Sequence, residues 1–342
     1  MIRIRARAPG RRALAPGLPT ARGAAAVARE PARPRARQCG LRARIVSGAV
    51  LFAVGTGLVL HARRTLREPK RSREAAAAAR GALPRPLPPC VGGLRVAAAQ
   101  LSADRRAGVG GDLYEVVATE YGVRAVIGDV RGHGVGAVGT VAAVLGGFRE
   151  AVHDEPDLGR VLRRLDRALA RDLRERARTA GPDSPVAEDF VTLLLLEIGP
   201  GGEVRALNCG HPWPYRLLGA RVEPLSRADP LPPLGPFPLP PELPAVRCAA
   251  LRPGEALFLH TDGAEEARDA QGRFFPLTAV LTEALGAGAG TPRALLAAVF
   301  TRLLRHTAGQ PADDVALLVL HDARRPRPAA AAAPGTTRAA TP

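Results

Sequence analysis

From about residue 94 onward, short apolar runs are separated by tight glycine-bearing turns, and this constrains the fold more than any other feature of the chain. The runs predict strands over 94–99, 113–119, 123–129, 190–198, 204–208, 213–218, 256–260 and 315–320. Joins such as Glu120-Tyr121-Gly122 and Gly199-Pro200-Gly201-Gly202 are too short for a crossover, so the strands they connect run antiparallel. Helical spacing is confined to 137–153, 158–176 and 291–306. In the second of these, Leu158, Val161, Leu162, Leu165, Ala168, Leu169 and Leu173 share one face. Two successive helices between the third and fourth strands break the strand–helix alternation of a doubly wound parallel sheet. The expectation is an α+β domain of antiparallel strands.

Charge is distributed very unevenly. The first 80 residues hold 19 basic and 3 acidic side chains, whereas the other 262 hold 30 and 29. The net +17 therefore belongs to the N-terminal segment, and a uniformly basic nucleic-acid-binding domain is excluded. Cys39, Cys90, Cys209 and Cys248 form no CxxC pair, which excludes a zinc ribbon and a dense disulfide framework.

The composition divides the chain into segments. Residues 1–44, rich in Arg, Ala and Pro, read as a disordered basic arm, and 323–342 as a disordered tail. Between Ile45 and Leu60 no residue is charged. As a helix this run reaches roughly 24 Å at ~1.5 Å per residue, and flanking residues extend it toward a bilayer core of about 30 Å. Basic clusters on both sides and the lack of a following A-x-A cleavage site favour a single-pass membrane helix over 45–62. A buried core helix and a signal-peptide segment are the alternatives. Charge on both flanks leaves its orientation open. Residues 63–90 then read as a juxtamembrane helix, a candidate lever or dimerisation element, and a proline-rich linker; 91–322 form the folded domain.

Aspartates meet glycines at four strand ends: Gly110-Gly111-Asp112, Gly128-Asp129-Val130, Thr261-Asp262-Gly263 and Ala312-Asp313-Asp314. One such pair is ordinarily a turn. Four of them gather carboxylates at sheet edges, where mutual repulsion calls for a divalent cation. Oxygen donors favour Mg(II) or Mn(II) over zinc. Without a His/Cys ligand set or a P-loop lysine, metal-assisted attack of water on a phosphate is the matching chemistry.

The segment Val109-Gly110-Gly111-Asp112-Leu113-Tyr114-Glu115 resembles the VGGDFYD motif of the PPM (protein phosphatase 2C-like) family, in its bacterial SpoIIE/RsbU branch. Ile127-Gly128-Asp129-Val130-Arg131-Gly132-His133-Gly134 resembles that branch's GDVxGHG, and Asn208-Cys209-Gly210-His211-Pro212-Trp213-Pro214 its NAGHPPP. The segment from Leu259 to Ala267 resembles YTDGLxEA, and Asp313-Asp314-Val315-Ala316-Leu317-Leu318 the closing DDIALL. All five occur in family order. The resemblance implies a four-layer α/β/β/α sandwich of two antiparallel sheets, two Mn(II) or Mg(II) ions, and hydrolysis of protein phosphoserine or phosphothreonine without a phosphoenzyme. It implies Asp112, Asp129, Asp262, Asp313 and the Val130 carbonyl as metal ligands, with Asp112 and Asp129 catalytic through the metals. Asp314 and Glu115 would stand behind those ligands; Glu115, where the family has Asp, is a longer carboxylate that would displace a ligand water. The implied partner is a phosphorylated STAS-type anti-anti-sigma factor, which together with the unpaired cysteines places the domain on the cytoplasmic side of a bacterial membrane.

His133 is a candidate proton donor to the leaving oxygen, with a solvated loop histidine as the alternative. Arg131 is a candidate for steering phosphate, against a plain surface arginine. His211 reads as a turn residue. Gly134, Gly136 and Gly139 fit a dinucleotide fingerprint, but two helices follow where a helix and then a strand are needed. The stretch 224–244, with nine prolines, reads as a tolerated insertion rather than a flap. A non-catalytic module that keeps the phosphatase fold to grip a partner is the competing functional reading.

Overall fold

A computed structural model describes residues 87–103, 110–131, 135–179 and 189–324. The basic arm expected over 1–44, the membrane helix over 45–62, most of the 63–90 linker, His133 and the tail beyond 324 lie outside the described residues. Among the described residues, no helix is long and apolar enough to cross a membrane.

Among the described residues, eleven strands form two antiparallel sheets. The first contains β1 (Cys90–Val91), β2 (Leu94–Leu101), β7 (Tyr215–Leu218), β8 (Arg221–Pro224), β10 (Ala256–His260) and β11 (Val315–Asp322), in the order β1-β2-β11-β10-β7-β8. The second contains β3 (Asp112–Thr119), β4 (Gly122–Val130), β5 (Val191–Ile198), β6 (Val204–Cys209) and β9 (Val246–Arg247), in the order β3-β4-β5-β6-β9. Each strand run read from sequence has a strand in the structure, extended by one to two residues at several ends; the runs expected from 190 and 213 start later, at Val191 and Tyr215. The central β5, Val-Thr-Leu-Leu-Leu-Leu-Glu-Ile, is covered on both faces, which is why it reads as an unbroken apolar run.

Strand alternation distributes the side chains among three cores. Even-numbered residues of β3 (Tyr114, Val116) and odd-numbered residues of β4 (Ala125, Ile127) meet Leu257, Leu259, Ala316 and Leu318 of the other sheet. On the far side of the second sheet, Leu113, Val126 and Leu193 pack under α1 (Val135–Asp154) and α2 (Leu158–Thr179). On the far side of the first sheet, Phe258, Leu317 and Val319 pack under α4 (Leu277–Gly286) and α5 (Pro292–His306). A single turn, α3 (Asp262–Glu265), follows β10. The result is the four-layer α/β/β/α sandwich expected.

A buried charge fixes the α1–α2 corner to its sheet. Arg124 of β4, 0% exposed, pairs with Glu197 of β5 at 2.6 Å and donates to the carbonyls of Val152, Glu155 and Pro156. The first of these carbonyls lies in the last turn of α1 and the other two just beyond it, where intrahelical partners run out, so one guanidinium satisfies the corner and a strand carboxylate together.

The stretch 224–244 is not a loose insertion. Leu231 N–H donates to the Asn208 carbonyl, and Leu234 exchanges both backbone hydrogen bonds with Val191. Leu234 is fully buried, and Arg163 of α2 donates to the carbonyls of Pro240 and Pro241. Proline lacks a donor but keeps its carbonyl, so the segment continues the sheet where β6 turns away, using the N–H groups of its leucines.

Candidate active site

The first residue of β3 and the penultimate residue of β4 sit directly opposite each other: Asp112 pairs with Asp129 in the antiparallel register. Both project from the face that looks across to the other sheet, as the alternation of their strands requires. From that other sheet come Thr261 and Asp262 at the end of β10, and Asp313 and Asp314 just before β11. Four sequence-distant Asp-Gly and Asp-Asp segments thus meet at one end of the inter-sheet cleft.

Asp112 is 5% exposed. Its Oδ2 accepts from the Thr261 hydroxyl at 3.2 Å, and that hydroxyl in turn accepts from the Ala316 amide at 2.9 Å. The Asp112 backbone carbonyl accepts from Gln100 Nε2. Its Oδ1 is buried with no partner. Burial, then the charges of Asp129, Asp314 and Asp262, hold the Asp112 carboxyl well above the usual carboxylate range. Burial and the charges of Asp262, Asp313 and Asp314 push Asp129 up to about 7. Asp262 is raised by burial and by Asp313. Among the described residues none of these acids has an ion-pair partner.

Asp314 serves as an anchor. Its Oδ1 accepts from Ala103 N–H and its Oδ2 from Gly111 N–H, each at 2.8 Å. A Cβ at Gly110 would collide with this carboxylate, so glycine is required there for close approach. The exposed Asp313 carboxylate accepts from the Asp314 amide, and its charge raises Asp129 and Asp262.

Glu115 is placed differently from the expectation. Three positions along a strand reverse the face, so Glu115 turns away from Asp112 toward α1, where Arg149 Nε donates to it at 2.7 Å. It has no route to a ligand water at the acid cluster. Val130 is buried in the helix-covered core by its side chain, leaving only its carbonyl for a ligand role. Arg131 is exposed next to it, its guanidinium 5.4 Å from the Phe190 ring centroid and its amide bonded to the Phe190 carbonyl. Sequence reasoning missed Gln100, Thr192 and Thr261, and gave His211 only a turn. Their roles arise from contacts between sheets, which no local pattern encodes; only the position of Thr261 beside Asp262 hinted at one of them.

The donor set fits a divalent cation. It is all oxygen, gathered from both sheets, mutually repelling and with one buried oxygen lacking any hydrogen bond. As arranged here, and among the described residues, no three acidic, histidine or cysteine side chains close into a ligand set.

Two face-to-face antiparallel sheets, helices on both outer faces and acids at one end of the cleft define the PPM, or protein phosphatase 2C-like, class. The family model of stage II sporulation protein E (SpoIIE) matches residues 119–322. The chain belongs to that family, and solved structures of its fold include PP2C phosphatase domains. It is 25% identical to the RsbU and RsbW domains of Rv1364c from Mycobacterium tuberculosis, with a TM-score of 0.54 over 70% of this chain and 63% of that one. The SiaA-PP2C domain of Pseudomonas aeruginosa superposes with a TM-score of 0.58 at 20% identity, over 75% of this chain and 98% of that domain. The PP2C phosphatase domain with a regulatory fragment of SpoIIE from Bacillus subtilis gives 0.51 at 18% identity, over 68% and 65%. The latter two likenesses are of fold. This chain spans less than two thirds of the Mycobacterium and Bacillus chains. No curated protein sequence matches it significantly.

Proposed function

We propose that this chain is a divalent-metal-dependent protein serine/threonine phosphatase that acts on a phosphorylated regulatory protein, with an STAS-type anti-anti-sigma factor as the substrate class. The observation that carries the reading is the facing pair Asp112–Asp129, joined by Asp262 and Asp313 from the opposite sheet and lacking cationic partners among the described residues. Membership of the SpoIIE family and likeness to a chain in which RsbU and RsbW domains occur together support the substrate class.

In this reading Asp112, Asp129, Asp262, Asp313 and the Val130 carbonyl hold two Mn(II) or Mg(II) ions. Bound there, the ions supply Lewis acidity and a water of lowered pKa for attack on phosphorus. The Thr261 hydroxyl holds Asp112 Oδ2 and leaves Oδ1 free for a ligand role. Arg131, exposed beside Phe190, is the candidate for steering the phosphate of an arriving phosphoserine by its charge. Asp314 keeps the Gly110-Gly111 turn seated, so that Asp112 enters its strand in register with Asp129.

The test is phosphate release from a phosphoserine peptide by the full chain with Mn(II), with Mg(II) and with EDTA, beside Asp129→Asn and Asp262→Asn. The reading requires metal-dependent release that both variants lose. Equal, slow release by all three proteins in Mn(II) removes it and favours the binding-module alternative. Tethering at a bacterial membrane through 45–62, with the domain in the cytoplasm and a dimer formed through 63–80, belongs to the same proposal. Recovery of the full chain in the soluble fraction as a monomer would remove that part.

A further inference from the structure

The segment Asn208-Cys209-Gly210-His211 is more than a turn. The Asn208 side chain closes on the backbone of His211 twice: its Oδ1 accepts the His211 amide at 2.8 Å and its Nδ2 donates to the His211 carbonyl at 2.7 Å. Gly210, at φ +68°, reverses the chain with Pro233 packed against it, so that a Cβ there would lie 2.8 Å from the proline ring. The His211 ring is thereby driven inward between the sheets, where it is 4% exposed. Its two nitrogens contact different sheets. Nδ1 lies 3.2 Å from the Thr192 hydroxyl, and Nε2 lies 3.1 Å from the carbonyl of His260. A carbonyl only accepts, so Nε2 carries the proton and Nδ1 accepts from Thr192.

Both contacts lead to the acid cluster. Thr192 is the cross-strand partner of Asp129 in the β4–β5 register. The His260 carbonyl belongs to the peptide unit that leads into Thr261, whose hydroxyl holds Asp112, and then into Asp262. We infer that His211 is a positioning residue: a rigid strut between the sheets that sets the spacing of Asp112 and Asp129 against Asp262. An imidazole suits the task because it presents an acceptor and a donor at opposite points of one ring of fixed size. Alanine offers neither group, and glutamine reproduces the donor without the rigidity.

The inference rests on the phosphatase reading, and its test separates the two. Mn(II) binding to the full chain is measured by calorimetry, with kcat and KM for p-nitrophenyl phosphate and circular dichroism beside it. The expected result is Mn(II) affinity about tenfold weaker in His211→Ala, the order by which groups that orient metal ligands act. In the same variant kcat falls and KM is unchanged. His211→Gln recovers part of both losses through its side-chain N–H. Thr192→Val, nearly equal in shape, weakens Mn(II) about threefold, and the exposed His153→Ala binds as wild type does. If Asp129→Asn loses Mn(II) but folded His211→Ala retains full affinity and kcat, the strut is overturned alone. If wild type and Asp129→Asn bind equally, the phosphatase reading falls and the strut with it. If His211→Ala does not fold, His211→Gln and Thr192→Val decide in the same sense. Failure of all three to fold makes His211 a determinant of folding alone and also overturns the inference.

Discussion

The two faces of strands β3 and β4 carry acids under opposite rules. On the helix-covered face, the chain's own arginines serve the nearby acids: Arg149 pairs with Glu115, and Arg124 with Glu197 of the adjoining β5. On the cleft face, Asp112 and Asp129 face one another with Asp262 and Asp314 close by, and burial and repulsion raise both carboxyls above the usual carboxylate range. The chain is not short of arginine. Acids without an ion-pair partner among the described residues suit a partner from outside the chain, and that contrast supports the cleft end as the proposed site.

The contrast breaks most visibly on the paired face. Arg124→Ala strands Glu197, half-served by Arg205 at 3.1 Å, and frees three carbonyls at the end of α1. A loss of about 3–5 kcal/mol in urea denaturation is expected, and no loss would mean the pair is solvated. On the cleft face the same kind of deletion has the opposite sign. In EDTA at pH 8, Asp129→Asn removes a carboxylate whose ionisation is suppressed up to about 7, so unfolding free energy rises by about 2–4 kcal/mol. The variant loses activity by more than ~100-fold while gaining this stability, a trade familiar at strained sites. A destabilised Asp129→Asn in EDTA would contradict the repulsion argued here.

His211 sharpens the contrast through pH. Burial, with the neighbouring His260, lowers it to about 3. The unfolded chain takes up this proton near pH 6.5 and the folded chain does not. Its contribution is therefore complete above pH 6.5 and falls by ~1.4 kcal/mol per unit below it. The raised Asp112 and Asp129 act in the other direction, gaining stability as pH falls, so the measurement is a difference. Between pH 7.5 and 5.5, wild type should lose about 1 kcal/mol more than His211→Gln. Smallest is Glu115→Gln, whose Arg149 partner is partly solvated: about 0.5 kcal/mol, with unchanged Mn(II) dependence. An altered metal preference in Glu115→Gln would return that residue to the site.

Much of this was legible in the sequence because the main strands are long enough to alternate and their turns are explicit. Strands β1, β8 and β9, two to four residues each, leave no period to read. Helix α4 was missed because its entry is a proline with no polar cap, and its apolar residues blend into the run before it. Asp112, Asp129 and Asp262 announce themselves by their glycines. The same spacing misplaced Glu115, because a motif counts residues whereas a strand alternates faces. Thr192, Gln100 and the inward thrust of His211 depend on two sheets meeting, and only tertiary structure brings them together.

The most direct test is a crystal of the full chain grown with Mn(II) and measured for anomalous scattering. The account predicts manganese at the cleft end, bounded by Asp112, Asp129 and Asp262 with the Val130 carbonyl turned toward it. Manganese bound elsewhere, with those three carboxylates hydrogen-bonded only to protein and water, would contradict it.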